Sequence, residues 1–565
     1  TYQYDTLGRI TKITYNPLEK EPEEETYIYN KAGSLIQAIN KESDLTLERD
    51  ILGRIIKESC NGHEIISKYD NENNRIQITS DLGANIKADY NPMGDLLGLK
   101  TNNWQTNYQR DLFGLEISRN IQGGLSTRTT RDNLGRVTGH GIHKNNNKIS
   151  QKTYLWGQND QLLQIDDNGK TTNFNYDKRG NLSKTTFPDG TIQHRNPDKT
   201  GNLFESLDQM DRKYNKGGQL VKTETHTYQY DKEGNLKEKK DKSGTKWRYK
   251  WTASGMLESV HRPDGHTVNF KYDALGRRIE KRFLRNVTTY LWDGNVPLHE
   301  YRDTYTRQYD KDKYLEKHSD PVITWIFEEG TFVPTAKLQA AKQLSIITNY
   351  LGTPESMYDE AGQKTWSCQL DSYGKVRSFE GQWKVDCPFR YQGQYEDNET
   401  GLYYNRFRYY DPSIGSYLSQ DPIGLAGGAR VYCYTKDPNI LIDFFGLDAK
   451  EAIIYDKNGN EIARGKSGQL DKIEDWRFKH LTNRTKNKLE KKDKGKPFHG
   501  HCAEINAINN ALKNGVSYEE LSGATIVTKN KKGEVVKACD CCEIVLKKMK
   551  IKDGYRAKKS SGCPK

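Results

Sequence analysis

A short pattern opens the chain, Tyr2-Gln-Tyr-Asp5-Thr-Leu-Gly8-Arg9-Ile10, and it recurs along most of the sequence. In most copies an aromatic residue precedes Asp or Asn, Gly follows a few residues later, and a polar residue and then Leu or Ile come next. The Asp or Asn position recurs, mostly in steps of 20 or 21 residues, at 5, 30, 50, 70, 91, 111, 132, 177, 198, 215, 231 and 273. Self-similarity with such a period is typical of a repeat architecture.

Each copy has the properties of one β-hairpin. The Tyr-x-Tyr alternation places side chains on opposite faces of a strand. Asp or Asn followed by Gly supplies a turn, and the apolar–polar alternation after the glycine is the return strand. Because a lone hairpin is marginal in water, we expect the hairpins to pair side by side in a long antiparallel sheet. A sheet of about fifteen such units must coil to stay compact. The chain is therefore predicted to be mostly β.

The composition agrees with an ordered β protein that has a polar surface. The 565 residues are 34% hydrophobic and 29% charged, yet they include 35 Tyr, 15 Phe and 9 Trp with only 16 Pro. Aromatic residues suit a pleated, half-buried surface. The sequence has no run of about 18 apolar residues, which excludes a membrane-spanning helix. Its first residues show no charged and apolar secretory signal.

The repeats resemble the YD repeats of Rhs proteins, which are also seen in TcC-type toxin subunits and teneurins. The resemblance covers about residues 1–447, and it implies a β-strip wound into a hollow shell, or cocoon, that encloses a C-terminal polypeptide. We therefore expect a repeat shell over residues 1–323, a closing segment over 324–447 and a C-terminal toxin domain over 448–565. Because the sequence begins inside a repeat, upstream shell or delivery domains are expected to be missing.

The closing segment contains two related elements. The stretch from Arg390 to Pro412 closely resembles the Rhs core-associated domain. After it, Asp421-Pro-Ile-Gly424-Leu425 is followed 18 residues later by Asp443-Phe-Phe-Gly446-Leu447. In that family, two Asp-Pro-x-Gly elements at this separation are associated with an intramolecular aspartyl protease that cuts just after the second element.

The resemblance thus implies that Asp421 and Asp443 are a catalytic pair and that the chain is cut after Leu447. This chemistry needs two carboxylates close enough to share a proton, one acting as base toward water and the other as acid toward the peptide carbonyl. Here Phe444 stands where the family has Pro. The alternative is that both aspartates only initiate turns.

The last part of the chain differs from the rest in charge and in cysteine content. Residues 448–565 carry 27 Lys and Arg against 16 Asp and Glu, whereas residues 1–447 are nearly neutral. This asymmetry indicates a polyanionic partner such as nucleic acid, or else a lysine-rich solvated surface. Five of the nine cysteines also lie here, at 502, 539, 541, 542 and 563. Clustered Cys in a chain without a visible secretion signal fits metal binding or catalysis better than disulfides.

The tail is predicted to be a small α/β domain. The pattern predicts, in order, a hairpin over 452–462, a helix over about 470–492, a helix after Cys502 with an apolar face at 505, 508 and 512, strands over 525–528 and 534–537, and a helix that opens at Cys539–Cys542.

Two motifs of the tail point to a zinc deaminase. Such an enzyme needs three protein ligands and one open position for water. Cys502, Cys539 and Cys542 would bind Zn²⁺, and Glu504, two residues after the first ligand, would take a proton from water and deliver it to the departing amine. The superfamily's usual motifs have His at the first ligand and Pro where Ala538 stands. The Cys-Ala-Glu form resembles the YwqJ-like branch of bacterial toxin deaminases, which implies a nucleic-acid or nucleobase deaminase.

Several alternatives remain open. His499 or His501 could replace Cys502 as a ligand, and Cys541 could replace Cys539. A structural zinc site, with His499 as fourth ligand, would make the chain a YD-repeat scaffold or adhesion protein. A metal-dependent nuclease toxin is the third possibility.

The resemblance also implies how such a protein would act. It implies export by a contractile secretion system through spike or PAAR-type delivery domains, action of the toxin domain in the target-cell cytoplasm, and a cognate immunity protein. The expected substrate is a nucleic acid or a nucleotide, with cytosine and adenine, and DNA and RNA, as alternatives.

Overall fold

The computed structural model describes residues 1–16, 21–111, 114–307, 314–424 and 430–447, together with the backbone of five strands between residues 451 and 553. No α-helix occurs among these residues, and none of their helical turns is long and apolar enough to cross a membrane. Single turns of 3-10 helix lie at Gln158–Asp160 and Lys384–Asp386. The prediction of a mostly β chain is confirmed.

The first sheet contains nineteen strands, and each pairs antiparallel with the next along the chain. Its strands are β1 Tyr2–Tyr4, β2 Ile10–Tyr15, β3 Glu23–Tyr29, β4 Leu35–Asn40, β5 Ser43–Arg49, β6 Ile55–Cys60, β7 His63–Tyr69, β8 Arg75–Ser80, β9 Asn85–Tyr90, β10 Leu96–Lys100, β11 Gln105–Arg110, β12 Glu116–Ile121, β13 Leu125–Arg131, β14 Val137–Lys144, β15 Asn147–Trp156, β16 Leu162–Asp167, β17 Lys170–Tyr176, β18 Leu182–Thr186 and β19 Ile192–His194.

A separate two-stranded pair and a second sheet of seventeen strands follow. The pair is β20 Asn196–Pro197 with β21 Leu203–Phe204. The second sheet contains β22 Arg212–Tyr214, β23 Leu220–Thr223, β24 His226–Tyr230, β25 Leu236–Asp241, β26 Lys246–Trp251, β27 Leu257–His261, β28 Thr267–Tyr272, β29 Arg278–Phe283, β30 Asn286–Asp293, β31 Val296–Arg307, β32 Tyr314–Ser319, β33 Ile323–Phe327, β34 Pro334–Gln339, β35 Lys342–Thr348, β36 Pro354–Tyr358, β37 Lys364–Leu370 and β38 Val376–Glu380. Here β31 pairs with both β32 and β33.

The closing sheet is a small four-stranded unit that follows the second sheet. Its strands are β39 Tyr395–Asp397, β40 Leu402–Asn405, β41 Arg408–Asp411 and β42 Ser416–Tyr417. Every residue of β39, β40 and β41 is buried. The closing sheet is fastened to β29 by an ion pair between Arg278 and Asp397, whose nitrogen and oxygen lie 2.6 Å apart.

The repeat motif builds the same turn in copy after copy. In the first copy, Asp5 Oδ1 accepts hydrogen bonds from the backbone N–H groups of Leu7 and Arg9, at 2.9 and 3.0 Å. Gly8 donates its own N–H to the Asp5 carbonyl at 3.0 Å and has φ +76°, a conformation that favours glycine. The turn therefore uses a side-chain acceptor at the Asp position and, three residues later, a residue that tolerates positive φ, which is Gly in most copies and Asn73 in the copy at Asp70.

The interior of the two large sheets is one main hydrophobic cluster. Leu45 and Val260 have no exposed surface in it, and Trp325 and Trp366 are each 1% exposed. The alternation along each strand places these side chains on the inward face. The aromatic-rich repeat thus provides a continuous core although the chain is polar overall.

In the tail, five strands are described as backbone only: β43 Glu451–Tyr455, β44 Glu461–Lys466, β45 Thr525–Lys529, β46 Val535–Val536 and β47 Lys552–Asp553. The pairing of β43 with β44 confirms the predicted hairpin, and β45 pairs with β46 as the sequence predicted. In addition, β43 pairs with β45, and β47 runs parallel to β45. The helices predicted for the tail lie outside the described residues.

Candidate functional site

The structure brings the two aspartates of the closing segment together in the protein interior. Asp421 follows β42 and is 4% exposed, and Asp443 lies near the end of the closing segment and is 6% exposed. The backbone of Asp421 is fixed by donation of its N–H to the Val431 carbonyl, at 2.9 Å. Because both side chains are almost fully buried, bulk water is largely excluded from the site.

Arg408, from β41, lies against both carboxylates. Its Nη2 is 3.4 Å from Asp421 Oδ2 and 3.3 Å from Asp443 Oδ2. Its other nitrogens donate to main-chain carbonyls, Nη1 to Val431 at 3.0 Å and Nε to Gly446. Two buried carboxylates repel each other strongly unless a cation or a proton compensates their charge. Arg408 supplies that cation, and its bond to the Gly446 carbonyl also fixes the backbone one residue before Leu447.

Asp443 is oriented through both of its oxygens. Tyr417 donates its hydroxyl to Asp443 Oδ2 at 2.8 Å, and Asp443 Oδ1 accepts the backbone N–H of Leu447 at 2.8 Å. Asn405 donates its amide to the Tyr417 hydroxyl oxygen at 2.6 Å and to the Asp443 carbonyl at 2.9 Å. This network directs one carboxylate oxygen toward the peptide that precedes the predicted cut.

The aromatic side chains around the pair keep it in a low-dielectric environment. Burial, with the neighbouring Asp443 charge, raises the pKa of Tyr417 well above its ordinary value, and burial raises the pKa of Tyr434 in the same way. Tyr417 is therefore a neutral hydrogen-bond donor at physiological pH. The Arg408 guanidinium lies 3.8 Å from the centre of the Tyr417 ring, a cation–π distance.

The second aspartate element, in which Phe444 stands where the family has proline, is held by aromatic packing. The Phe444 and Phe445 rings both pack on Phe332, with centroid distances of 5.2 and 5.3 Å. Gly446 has φ +68°, and a Cβ atom there would lie 2.9 Å from the Asn405 carbonyl oxygen. Aromatic packing and a glycine that allows close backbone approach thus fix the segment that leads to Leu447.

The other predicted site residues lie outside the described residues. They are Glu504, the ligands Cys502, Cys539 and Cys542, and the alternates His499, His501 and Cys541. Leu447 is described, and Asp448, on the far side of the predicted cut, is not.

Sequence reasoning did not identify three members of this site: Asn405, Arg408 and Tyr417. Asn405 and Arg408 stand in the Asn-Arg-Phe-Arg-Tyr-Tyr-Asp run that carries the resemblance, at the two ends of a two-residue turn between β40 and β41. The signal that could have found Arg408 is electrostatic, because two buried carboxylates require a cation nearby. Tyr417 gave no such signal, since it is one of 35 tyrosines in the chain.

Comparison with known proteins places the chain in a family. The teneurin YD-shell family model matches residues 115–442, more than half of the chain. The double-stranded DNA deaminase toxin A of Burkholderia cenocepacia is 27% identical over 486 residues, which cover 80% of this chain and 32% of that protein. The probable deoxyribonuclease RhsB of Dickeya dadantii is 31% identical over 239 residues, which cover 41% of this chain and 16% of that protein. The chain therefore spans less than two thirds of the length of these curated relatives.

A solved structure shows the same fold. The Tc holotoxin pore of Photorhabdus luminescens matches 79% of this chain and 26% of its own, with a TM-score of 0.56 and 17% sequence identity. The hairpin repeat, the long antiparallel sheets and the family match over residues 115–442 lead to one conclusion: the chain belongs to the teneurin YD-shell family.

Proposed function

We propose that this protein is an interbacterial toxin of the Rhs type whose closing segment cuts its own chain after Leu447, separating the tail of residues 448–565. One observation carries the proposal of a cut. Asp421 and Asp443 both lie against Arg408, and Asp443 Oδ1 accepts the N–H of Leu447, the residue on the amino side of the proposed bond.

The proposed reaction is hydrolysis of the peptide bond between Leu447 and Asp448. One carboxylate takes a proton from water as the water oxygen attacks the Leu447 carbonyl carbon, and the other carboxyl group gives a proton to the leaving nitrogen. The C–N bond breaks, leaving a carboxylate on Leu447 and an amine on Asp448. Arg408 and Tyr417 hold the pair in place, so the protein supplies orientation as well as acid–base chemistry.

A matched set of isosteric variants tests the cut. Asp421→Asn and Asp443→Asn should each leave the purified chain intact on a denaturing gel. Asp371→Asn is the control, because Asp371 is a half-buried acceptor in the same closing segment, and its Oδ1 accepts the N–H groups of Tyr373 and Lys375 at 2.8 and 2.9 Å. Cleavage in Asp421→Asn at the wild-type rate would remove the paired-aspartate mechanism.

We also propose that the YD shell encloses the tail until release, as the family resemblance implies. The two fragments of the cut protein should then co-elute in native gel filtration and separate in guanidinium. Separation without denaturant would mean that the shell does not retain the tail.

For the tail itself we propose a zinc-dependent deaminase that acts on a nucleic acid or a nucleotide. Cys502, Cys539 and Cys542 would hold the zinc, and Glu504 would accept and return the proton during hydrolysis of an exocyclic amine. Bound zinc supplies Lewis-acid activation of water. The +11 charge of the tail and the deaminase named among the relatives support this proposal.

Zinc content tests the ligand set independently of activity. The purified chain should contain one zinc ion, and Cys539→Ser should lose it. Cys563→Ser is the matched control, because Cys563 lies outside both motifs, and it should retain the metal. Zinc retained in Cys539→Ser would refute this ligand assignment.

Sequencing of nucleic acid from cells that express residues 448–565 without the shell tests the activity. C-to-T or A-to-G changes should appear with the wild type and disappear with Glu504→Ala. Strand breaks without base conversion would favour the alternative of a metal-dependent nuclease, in line with the deoxyribonuclease among the relatives. Neither change, with zinc still bound, would favour a YD-repeat scaffold with a structural zinc site.

The proposed partners and location follow from this assignment. The toxin would leave the producing cell through a contractile secretion system with spike or PAAR-type delivery domains, and its tail would act in the cytoplasm of the target cell. A cognate immunity protein would protect the producer. Unimpaired growth of immunity-free cells that express residues 448–565 without the shell would contradict this arrangement.

A further inference from the structure

A small cavity lies between the second sheet and the chain that leads into the closing sheet. Its aromatic wall includes Tyr290, Phe332, Tyr395 and Phe444. The space open to the centre of a water molecule is about 30 Å³. Because one water needs roughly 10–15 Å³ by this measure, the cavity has room for about two water-sized groups.

Two polar side chains that line this cavity have buried atoms without a hydrogen-bond partner among the described residues. Gln394 is 1% exposed, and neither its Nε2 nor its Oε1 has a partner among the described residues. Arg406 is 8% exposed; its Nη2 donates to the Leu275 carbonyl at 2.8 Å, but its Nε and Nη1 have no partner there. Buried polar groups are nearly always paired, so a cluster of free donors points to a missing occupant.

The charged residues around the cavity indicate the sign of the charge that the occupant carries. Arg278 and Arg390 also line it, and each pairs with a carboxylate, Asp397 at 2.6 Å and Glu396 at 2.5 Å, that a lysine shares. Arg406 makes no ion pair within the described part of the chain, and no Asp or Glu is among the cavity's lining residues there. An arginine stays protonated in proteins, so the cavity carries one uncompensated positive charge.

The backbone at Arg406 gives independent support. Arg406 has φ +58° in the two-residue turn between β40 and β41. This left-handed conformation favours Gly or Asn over a long side chain. Arginine at this position costs conformational energy that glycine would avoid. This cost is understandable if the Arg406 side chain makes a contact that the protein requires.

We infer that this cavity is a binding site for one small monovalent anion of about the size of chloride. The anion would accept N–H bonds from Arg406 Nε and Nη1 and from the Gln394 amide, and the remaining space would hold a water bonded to Gln394 Oε1. A phosphate ester or a nucleotide is too large for the volume. The donors Gln394 and Arg406 belong to the closing sheet and its approach, and the wall includes Tyr290 of the second sheet, so the anion would lie where the two sheets meet.

Anomalous scattering from bromide tests the site directly. Crystals of the full chain soaked in bromide should show a peak next to Arg406 Nε and Nη1. Crystals of Arg406→Met should lack it. Wild-type crystals with no peak in the cavity would overturn the inference.

Thermal unfolding at constant ionic strength supplies the solution test. When gluconate is replaced by chloride, the Tm of the wild type should rise with the logarithm of the chloride concentration once it exceeds Kd, by about 1–2 °C in total at a tenfold excess over Kd. Arg406→Met should lose this response, and so should Gln394→Leu in large part, which covers the case in which the arginine variant fails to fold. Arg282→Met is the control, because Arg282 is half exposed on β29, and it should respond like the wild type. An equal chloride response in Arg406→Met and the wild type would contradict a specific site.

Discussion

Asp443 is held by both carboxylate oxygens, and the partner of each oxygen has a different consequence. Oδ2 is shared between Tyr417 and Arg408, which fix its position and compensate its charge. Oδ1 holds the N–H of Leu447. A carboxylate fixed in this manner loses little orientational freedom on reaction, the usual source of advantage for a group that acts on its own chain.

Removal of the Tyr417 hydroxyl should slow self-cleavage. Tyr417→Phe deletes a hydrogen bond to a charged group, worth about 1.5–3 kcal/mol, and leaves Arg408 as the remaining partner of Asp443 Oδ2. We expect the cleavage rate to fall about tenfold or more, because each 1.36 kcal/mol of lost orientation in the transition state is tenfold in rate. The measurement is the time course of chain cutting after refolding from denaturant.

Tyr410→Phe is the matched control for this experiment. Tyr410 is a neighbour in the same buried tyrosine cluster, and its hydroxyl donates to the Tyr373 carbonyl at 2.6 Å, away from Asp443. Tyr410→Phe loses this one buried hydrogen bond, whereas Tyr417→Phe loses the bond to Asp443 and the one accepted from Asn405. Both variants should lose stability, but only Tyr417→Phe should loosen Asp443. Equal cleavage rates in the two variants would show that Tyr417 has no positioning role.

Of the individual residues in the site, the sequence predicted only some. The resemblance to a pair of Asp-Pro-x-Gly elements separated by 18 residues indicated Asp421 and Asp443, because such a motif can be read from the order of residues. Arg408 and Tyr417 lie 35 and 26 residues before Asp443, and they reach it only through the pairing of β41 with its neighbours. Their contribution depends on three-dimensional proximity and burial, which one sequence does not specify.

Among the elements, the hairpin turn of the repeat occurs in very different surroundings. Asp50 Oδ1 accepts the N–H groups of Leu52 and Arg54, and its Oδ2 lies 2.6 Å from Arg54 Nε. Asp273 makes the equivalent bonds to Leu275 and Arg277. The Asp50 carboxylate is 18% exposed, whereas the Asp273 carboxylate is fully buried, and Arg277 also pairs with the buried Glu58 of the first sheet.

The same substitution should therefore cost very different amounts at the two turns. Asp50→Ala removes a turn contact near solvent and should lower the free energy of unfolding by about 1 kcal/mol. Asp273→Ala leaves a buried guanidinium short of one carboxylate and should cost about 3 kcal/mol or more. Urea midpoints of the two variants provide the measurement. Equal losses at both turns would mean that burial does not set the value of this motif.

The sequence predicted the hairpin, its turn residues and the antiparallel pairing, because these follow from local chemistry that every copy repeats. It did not predict which copies are buried. Asp50 and Asp273 sit in nearly identical sequence, Arg-Asp-Ile-Leu-Gly-Arg and Tyr-Asp-Ala-Leu-Gly-Arg, and only the packing of the second sheet against the first distinguishes them. The 20-residue period of the repeat also did not predict that β31 pairs with both β32 and β33.

His299 connects the two large sheets and should make their stability depend on pH. It is fully buried on β31, with Nε2 2.6 Å from the Ser80 hydroxyl of β8 and Nδ1 3.1 Å from the Thr324 hydroxyl of β33. Burial lowers the pKa of His299 to about 4, with smaller effects from the nearby Asp81 and His63. In the unfolded chain the pKa returns to about 6.5.

The sign of the effect follows from proton binding. Between pH 6.5 and about 4 the unfolded chain binds a proton that the folded chain does not, so stability is fully present above pH 6.5 and is lost as the pH falls. The loss should reach roughly 3 kcal/mol. His299→Gln, which keeps hydrogen-bonding capacity but does not titrate, should show a shallower fall in urea midpoint between pH 7 and 4.5. Identical slopes for variant and wild type would show that His299 does not titrate on unfolding.

The described part of the molecule contains two long sheets, a closing sheet and, in the tail, strands that form a sheet of their own. The hairpin repeat predicts the first two, and the family match over residues 115–442 agrees. The closing sheet departs from the repeat, because its residues are nearly all buried and carry the charged pairs that anchor it, as Arg278 with Asp397 does. The departure from the hairpin repeat therefore falls in the part of the chain that holds Asp421 and Asp443.

The central claim is that this closing segment cuts the chain after Leu447, and intact-mass spectrometry of the purified protein tests it most directly. The wild type should yield two species, one ending at Leu447 and one of 118 residues beginning at Asp448. Asp443→Asn should give a single 65.1 kDa chain. A wild type that remains one chain, or an Asp443→Asn protein that still yields both species, would contradict the account.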